Sequence, residues 1–170
     1  MTRHRSDFEE FAIACTPALL RSAYLLTGDQ HLAEDLVQSA LARTHRAWKR
    51  LEHSGNAHAY TRKIMYHLQV SWWRRRKVAE SFTETPVETA FADSTHDVDL
   101  RLSLRAALFQ LAPRQRAVIV LRYFEDRSVT QTAEILGCAE GTVKTQAFRA
   151  LNKLRSVLPD LVELTNGELA

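Results

Sequence analysis

A chain of 170 residues, 45% of them apolar, has room for one domain or two small ones and enough hydrophobic content to bury a core, which excludes disorder throughout. Its two cysteines, Cys15 and Cys138, exclude a disulfide framework or a cysteine metal cluster and fit a reducing compartment. The net charge of +3 is unevenly spread: residues 1–77 carry 13 Lys or Arg against 7 Asp or Glu, residues 78–103 carry 1 against 6, residues 104–158 carry 9 against 4, and residues 159–170 add three acids and no base.

Two basic blocks joined by an acidic strap attract polyanions, although the same pattern also serves simply to solvate two surfaces. No apolar run approaches the roughly 18 residues that span a bilayer, and the N-terminus MTRHRSDFEEF has no secretory core. A cytoplasmic protein without a membrane segment is expected.

In chain order, Phe8, Phe11, Ala12, Cys15, Leu19, Ala23 and Leu26 form one apolar stripe at helical spacing over residues 7–26. Pro17 interrupts it and is read as a first-turn residue of its second half. Thr27, Gly28 and Asp29 supply a stop and a new start. Asp29 is placed as the cap of a helix through Trp48, with Leu32, Leu36, Val37, Ala40, Leu41, Thr44 and Trp48 inward. Glu34 and Asp35 near its start and Arg43, Arg46, Lys49 and Arg50 near its end suit the helix dipole.

Residues 51–58, LEHSGNAH, are a turn-rich break. A third helix is predicted over about residues 59–77, with Tyr60, Ile64, Leu68 and Ser71 or Trp72 inward, ending in WWRRRK. Adjacent tryptophans point about 100 degrees apart, so Trp72 is expected half inward and Trp73 exposed. Three such stripes can share a core.

Periodicity fails over residues 78–99, which read as a flexible acidic linker. A second unit begins near Leu100, with Leu104, Leu108 and Leu111 as one stripe. Pro113 then sits in the first turn of a helix that includes Val118, Ile119, Leu121, Tyr123 and Phe124. Because the linker is polar and acidic, nothing in it demands a large interface, and the two units are expected to move independently in the free protein.

After the turn at Glu125, Asp126 and Arg127, a short helix over residues 129–136 meets a longer one over about residues 140–157 across Gly137, as in a helix-turn-helix. Val143, Ala147, Ala150, Leu151 and Leu154 fall on one side of the second helix. Thr145, Arg149 and Asn152, flanked by Lys144, Gln146, Phe148 and Lys153, fall on the other, a mixture suited to base edges and phosphates. The bland alternative is a helical hairpin with a solvated face; Phe148, a large apolar ring on the outer flank, argues against it.

From Phe8 to Leu158 the chain resembles a small bacterial sigma factor of the extracytoplasmic-function class (group IV sigma-70, SigE-like), the promoter-recognition subunit of RNA polymerase. HLAEDLVQSALARTHRAW, residues 31–48, is similar to the family's region 2 helix, and by resemblance Glu34, Asp35 and Gln38 dock on the clamp helices of the polymerase's largest subunit. The carboxylates alone fit a solvated first turn equally well.

AYTRKIMYHLQVSWWRRRK, residues 59–77, is similar to the segment that opens the −10 element. The resemblance implies Arg62, Lys63, His67, Trp72, Trp73, Arg74, Arg75, Arg76 and Lys77 as strand-contacting residues, in keeping with aromatic stacking on unpaired bases and guanidinium contacts to phosphates. His53, Ser54, Asn56 and His58 line the loop where relatives capture a flipped base. The tryptophans as core and the arginines as a basic helix end remain the alternative.

LAPRQRAVIVLRYFEDRSVTQTAEILGCAEGTVKTQAFRALNKLR, residues 111–155, resembles region 4. This implies −35 contacts from Lys144, Thr145, Gln146, Phe148, Arg149, Asn152 and Lys153, with Arg122 and Arg127 as phosphate contacts. Relatives often carry asparagine at the place of His67, an acid at Ser71, Ser-Arg at Thr145 and Gln146, and histidine at Phe148, so promoter sequences do not carry over from them.

The expected architecture is therefore all-α: region 2 over 1–77, an acidic linker over 78–99, a region 4 helix-turn-helix over 100–158 and a short tail over 159–170. The expected partners are core RNA polymerase, promoter DNA and an anti-sigma factor, with a monomer when free. No catalytic residue, metal or cofactor is implied, since the seven histidines form no HExxH or Cys-His set. The alternative function is a helix-turn-helix regulator whose N-terminal bundle senses a ligand or dimerises; a decoy that binds polymerase without reading a promoter is a third.

Overall fold

The computed structural model describes the backbone of residues 2–51, 55–80 and 96–158, and the side chains of 5–51, 55–75 and 103–158. Seven α-helices follow one another: α1 (Thr2–Thr27), α2 (Gln30–Leu51), α3 (Ala57–Glu80), α4 (His96–Gln110), α5 (Pro113–Ile119), α6 (Val129–Leu136) and α7 (Glu140–Val157). A π-helical turn, Val120–Phe124, continues α5. The flexible linker expected over 78–99 is shorter than read, since residues 78–80 continue α3 and 96–99 open α4; its remainder, 81–95, and the tail, 159–170, lie outside the described residues.

Helix α1 runs unbroken through Pro17, correcting the expected interruption. Pro17 lacks the amide that would bond the Ile13 carbonyl, and both residues lie on the exposed outer face, Ile13 being 75% exposed, where solvent can take the place of the lost bond. Asp29 caps α2 as expected: its Oδ1 accepts the Leu32 N–H at 2.9 Å. Helix α2 then buries Leu36, Val37, Ala40, Thr44 and Trp48, and each large aliphatic side chain removed from water contributes about 2 kcal/mol. The buried Thr44 and Thr61 hydroxyls bond each other at 2.8 Å, joining α2 to α3.

Helix α3 is buried on two faces. Thr61, Met65 and Leu68 point into the bundle with α1 and α2, while Tyr66 and Gln69 are also buried on a stripe the sequence pattern did not assign inward. Tyr60 and Ile64, expected inward, are only half-buried. The second face is covered by the C-terminal unit: Ala117, Val120 and Leu121 lie in the same hydrophobic cluster as Leu19, Leu26, Leu36, Met65 and Tyr66. In this arrangement the two units share an apolar interface, which the composition of the linker gave no reason to expect. The apolar reason for an interface lies in the α5 face and not in the linker, where it was sought.

Leu108, Leu111, Ile119 and Ala150 make a second cluster inside the C-terminal unit, and Val118, Ala133 and Val143 a third. Ser128 caps α6, its hydroxyl accepting the Gln131 N–H at 3.0 Å while the Gln131 side chain accepts the Ser128 N–H at 3.0 Å. Gly137 ends α6 with φ +65, the left-handed conformation that lets α7 turn away sharply. Tyr123 and Phe124 lie in the π turn and are 52% and 43% exposed.

Candidate nucleic-acid interface

Helix α7 presents the first surface. Val143 and Ala150 are fully buried, Leu151 and Leu154 are half-buried, and Lys144, Thr145, Arg149, Asn152 and Lys153 stand exposed on the opposite side. Phe148, 66% exposed, lies among them. Gln146 is half-buried and lines a small crevice with Arg114, Val118 and Thr142, so it sits at the edge of this face. The hydroxyl of Thr145 donates to the Gly141 carbonyl at 2.9 Å, leaving its methyl group outward.

The second surface belongs to α3 and the turn before it. Asn56, His58, Lys63, Arg74 and Arg75 are exposed. The ring of His58 packs edge-on against Phe11 at 4.8 Å, so that face of the imidazole is held by the core. His53 and Ser54 lie outside the described residues, as do the side chains of Arg76 and Lys77. Trp72 is half-buried on the bundle core. Trp73, expected exposed, is half-buried beneath Arg116, whose guanidinium lies 5.1 Å from its ring centroid.

Two further residues of this face meet the C-terminal unit. Arg62 Nε pairs with Glu125 Oε2 at 2.7 Å, and His67 Nε2 is 3.0 Å from the Ile135 carbonyl. Of the strand-contacting set, Arg62, His67 and Trp73 are thus engaged within the chain. Arg122, expected as a phosphate contact, donates to the Arg127 carbonyl, and Arg127 Nε lies 3.6 Å from Glu125 Oε2.

Arg116, Tyr66 and Glu125 escaped the sequence reading. The Arg116 guanidinium is buried between Phe109 and Trp73 and donates to the carbonyls of Leu108 and Leu26 at 2.8 Å and of Phe109 and Leu111 at 3.1 Å. Burial pulls its pKa down to about 10, still far above neutrality, and the four carbonyls hold the cation. The signal that was available is the spacing of Arg62, Tyr66, Gln69 and Trp73, a second helical stripe on α3.

A shallow basic groove, also missed, runs along the end of α2 between Arg43, Arg46, Lys49, Arg50 and Tyr60. On the start of α2, Asp35 and Gln38 are exposed and Glu34 is half-buried, its Oε1 accepting from Gln30 at 3.3 Å.

Residues 13–78 match the family model Sigma-70 region 2, and residues 101–154 match Sigma-70, region 4. RNA polymerase sigma-E factor of Streptomyces coelicolor is 43% identical over 152 residues, which cover 89% of this chain and 86% of that protein. The chain is a sigma factor of the extracytoplasmic-function family. ECF RNA polymerase sigma factor SigL of Mycobacterium tuberculosis is 34% identical over 84% of both chains. The sigma factor RpoE of Bartonella quintana, solved in complex with the anti-sigma factor NepR, superposes with a TM-score of 0.73 at 29% identity, covering 90% of this sigma factor and 97% of that chain.

As a member of this family the sigma factor directs RNA polymerase to promoters, region 2 and region 4 being its two reading units. Among the described residues no helix is long and apolar enough to cross a membrane, and no group of three or more His, Cys, Asp or Glu is placed to hold a metal.

Proposed function

We propose that the two surfaces divide the promoter between them. Helix α7 enters the major groove of the −35 element, with Arg149 and Asn152 toward base edges, Lys144 and Lys153 on phosphates, and Phe148 and the Thr145 methyl against thymine methyl groups. The half-buried Gln146 contributes at the rim. The observation that carries this reading is the joint exposure of Lys144, Arg149, Asn152 and Lys153 around Phe148 on the second helix of a helix-turn-helix, a face that combines cations, hydrogen-bonding groups and an apolar ring.

Helix α3 and the segment leading into it take the −10 element. Trp72 and Trp73 offer stacking surfaces, Arg62, Lys63, Arg74, Arg75, Arg76 and Lys77 hold the backbone, His67 lies between them, and His53, Ser54, Asn56 and His58 receive a base turned out of the stack. Glu34, Asp35 and Gln38 form the polymerase contact on α2. The chain works without metal, cofactor or catalysis of its own, nucleotidyl transfer being the polymerase's. An anti-sigma factor is a further partner, supported by the likeness to the Bartonella protein solved with one.

The deciding experiment is transcription by core polymerase on fragments of a bacterial genome with and without the purified chain. Initiation at defined start sites only with the chain supports the assignment. Operator binding without initiation would favour an ordinary helix-turn-helix regulator.

A further inference from the structure

We propose that the free chain latches itself: the C-terminal unit covers the strand-binding face of α3 while leaving the reading face of α7 open, and Glu125 is the latch. The inference rests on the assignment of α3 to the −10 strand made above.

Glu125 follows the π turn in the C-terminal unit, and its carboxylate, 11% exposed, gathers groups from both other directions. Its Oε1 accepts from the Ser22 hydroxyl of α1 at 2.7 Å and from the Tyr66 hydroxyl of α3 at 2.8 Å. Its Oε2 faces Arg62 Nε at 2.7 Å and Arg127 Nε at 3.6 Å. Two more contacts lie along the same face of α3: His67 reaches the Ile135 carbonyl at 3.0 Å, and Arg116 covers the Trp73 ring. Among the described residues, no hydrogen bond or ion pair joins the exposed side chains of α7 to α3.

The chemistry makes latch and ligand mutually exclusive. Glu125 Oε2 forms an ion pair with Arg62 Nε at 2.7 Å, without hydrogen-bond alignment, and so neutralises a guanidinium that a DNA phosphate would otherwise hold, while Arg116 occupies a face of Trp73 on which a base would stack. A buried ion pair contributes little net stability beside its desolvation cost, yet removing one partner strands the other. It therefore fixes one closed geometry that a competing polyanion can still open. In a closed chain, affinity for a single strand is reduced by the fraction open, while a site outside the interface is unaffected.

The test uses the full chain and two variants of equal charge: Glu125→Ala, and Glu134→Ala on the exposed side of α6. Solution scattering reads the radius of gyration, and fluorescence anisotropy at one salt concentration reads binding to a dye-labelled single strand of about 20 nucleotides and to a duplex of that length. The expected result is a larger radius for Glu125→Ala, single-strand binding at least about fivefold tighter than for Glu134→Ala, and equal duplex binding by the two.

An unchanged radius overturns the latch, and equal strand binding by an opened and a closed chain overturns the masking. Opening with no strand binding in any variant overturns the assignment of α3 instead. If Glu125→Ala does not melt cooperatively, Ser22→Ala, which removes one donor without altering charge, decides. A smaller shift in the same direction supports the latch, and no change in radius or strand affinity overturns it.

Discussion

The Tyr66 hydroxyl donates to the Glu125 carboxylate at 2.8 Å, joining residues 59 positions apart in sequence through a ring with no exposed surface. Burial, with the neighbouring carboxylate, pushes the phenol pKa well above its ordinary 10.0. Because the folded value is raised, this group's contribution to stability is fully present below pH 10 and is lost as the pH climbs toward the folded value, where the unfolded chain has already released its proton. Thermal melts of the wild type should therefore show a fall in Tm that begins near pH 10, and Tyr66→Phe should remove that part of the slope. At neutral pH the same variant should lose about 1.5 to 3 kcal/mol, the range for a hydrogen bond to a charged group. Identical alkaline melts for the two proteins would refute the linkage.

Replacing Trp73 by Ala tests the strand-opening surface. A stacking partner is worth roughly 1 to 3 kcal/mol per base, so permanganate reactivity at the start site should fall while recruitment to duplex promoter DNA survives. If Trp73 serves only to seat Arg116, every activity should instead fall in step with the folded fraction seen in a parallel melt.

For the −35 surface, a Lys144→Ala/Arg149→Ala double variant should weaken duplex binding and reduce the slope of log affinity against log salt by roughly 2, about 0.9 for each phosphate contact removed. Gln146→Ala should have the smaller effect on base preference, because its side chain is half-buried against α5. Footprints of the double variant that match wild type at fixed salt would disprove the assignment.

The cysteines should differ in reactivity. Cys15 is 4% exposed and burial raises its thiol pKa, whereas Cys138 is half-buried in the turn before α7. A chromogenic disulfide reagent should titrate one thiol in the native chain and the second only on unfolding, and Cys138→Ser should abolish the native reaction. Fast labelling of that variant would mean that α1 leaves the bundle readily.

The helices and the exposed polar face of α7 were legible because each answers a local rule. Asp29 and Ser128 are caps, Gly137 is a turn residue, and Val143, Ala150 and Leu154 keep helical spacing on one side. The expected linker between residues 78 and 99 drew attention to charge, and charge gave no sign of the seam. That seam depends on pairs such as Ser22 with Glu125 and Leu26 with Arg116, 103 and 90 positions apart, for which periodicity holds no information. Arg62, His67 and Trp73, read as DNA-facing, are among the residues it uses, and Tyr66 and Gln69, which no reading assigned, are buried on the same helix.

The π turn at Val120–Phe124 gives this chain a length constraint. Its backbone bonds run from Val120 to Glu125 and from Leu121 to Arg127, so the turn holds more residues than an α-helical one. Were the same residues wound at the ordinary α-helical pitch, everything beyond the turn would be rotated by up to about 100 degrees, carrying Glu125 off the seam although every side chain of the network was still encoded. The distance along the chain between Arg116 and Glu125 is thus set by this turn, since the two side chains reach α1 and α3 from its opposite ends.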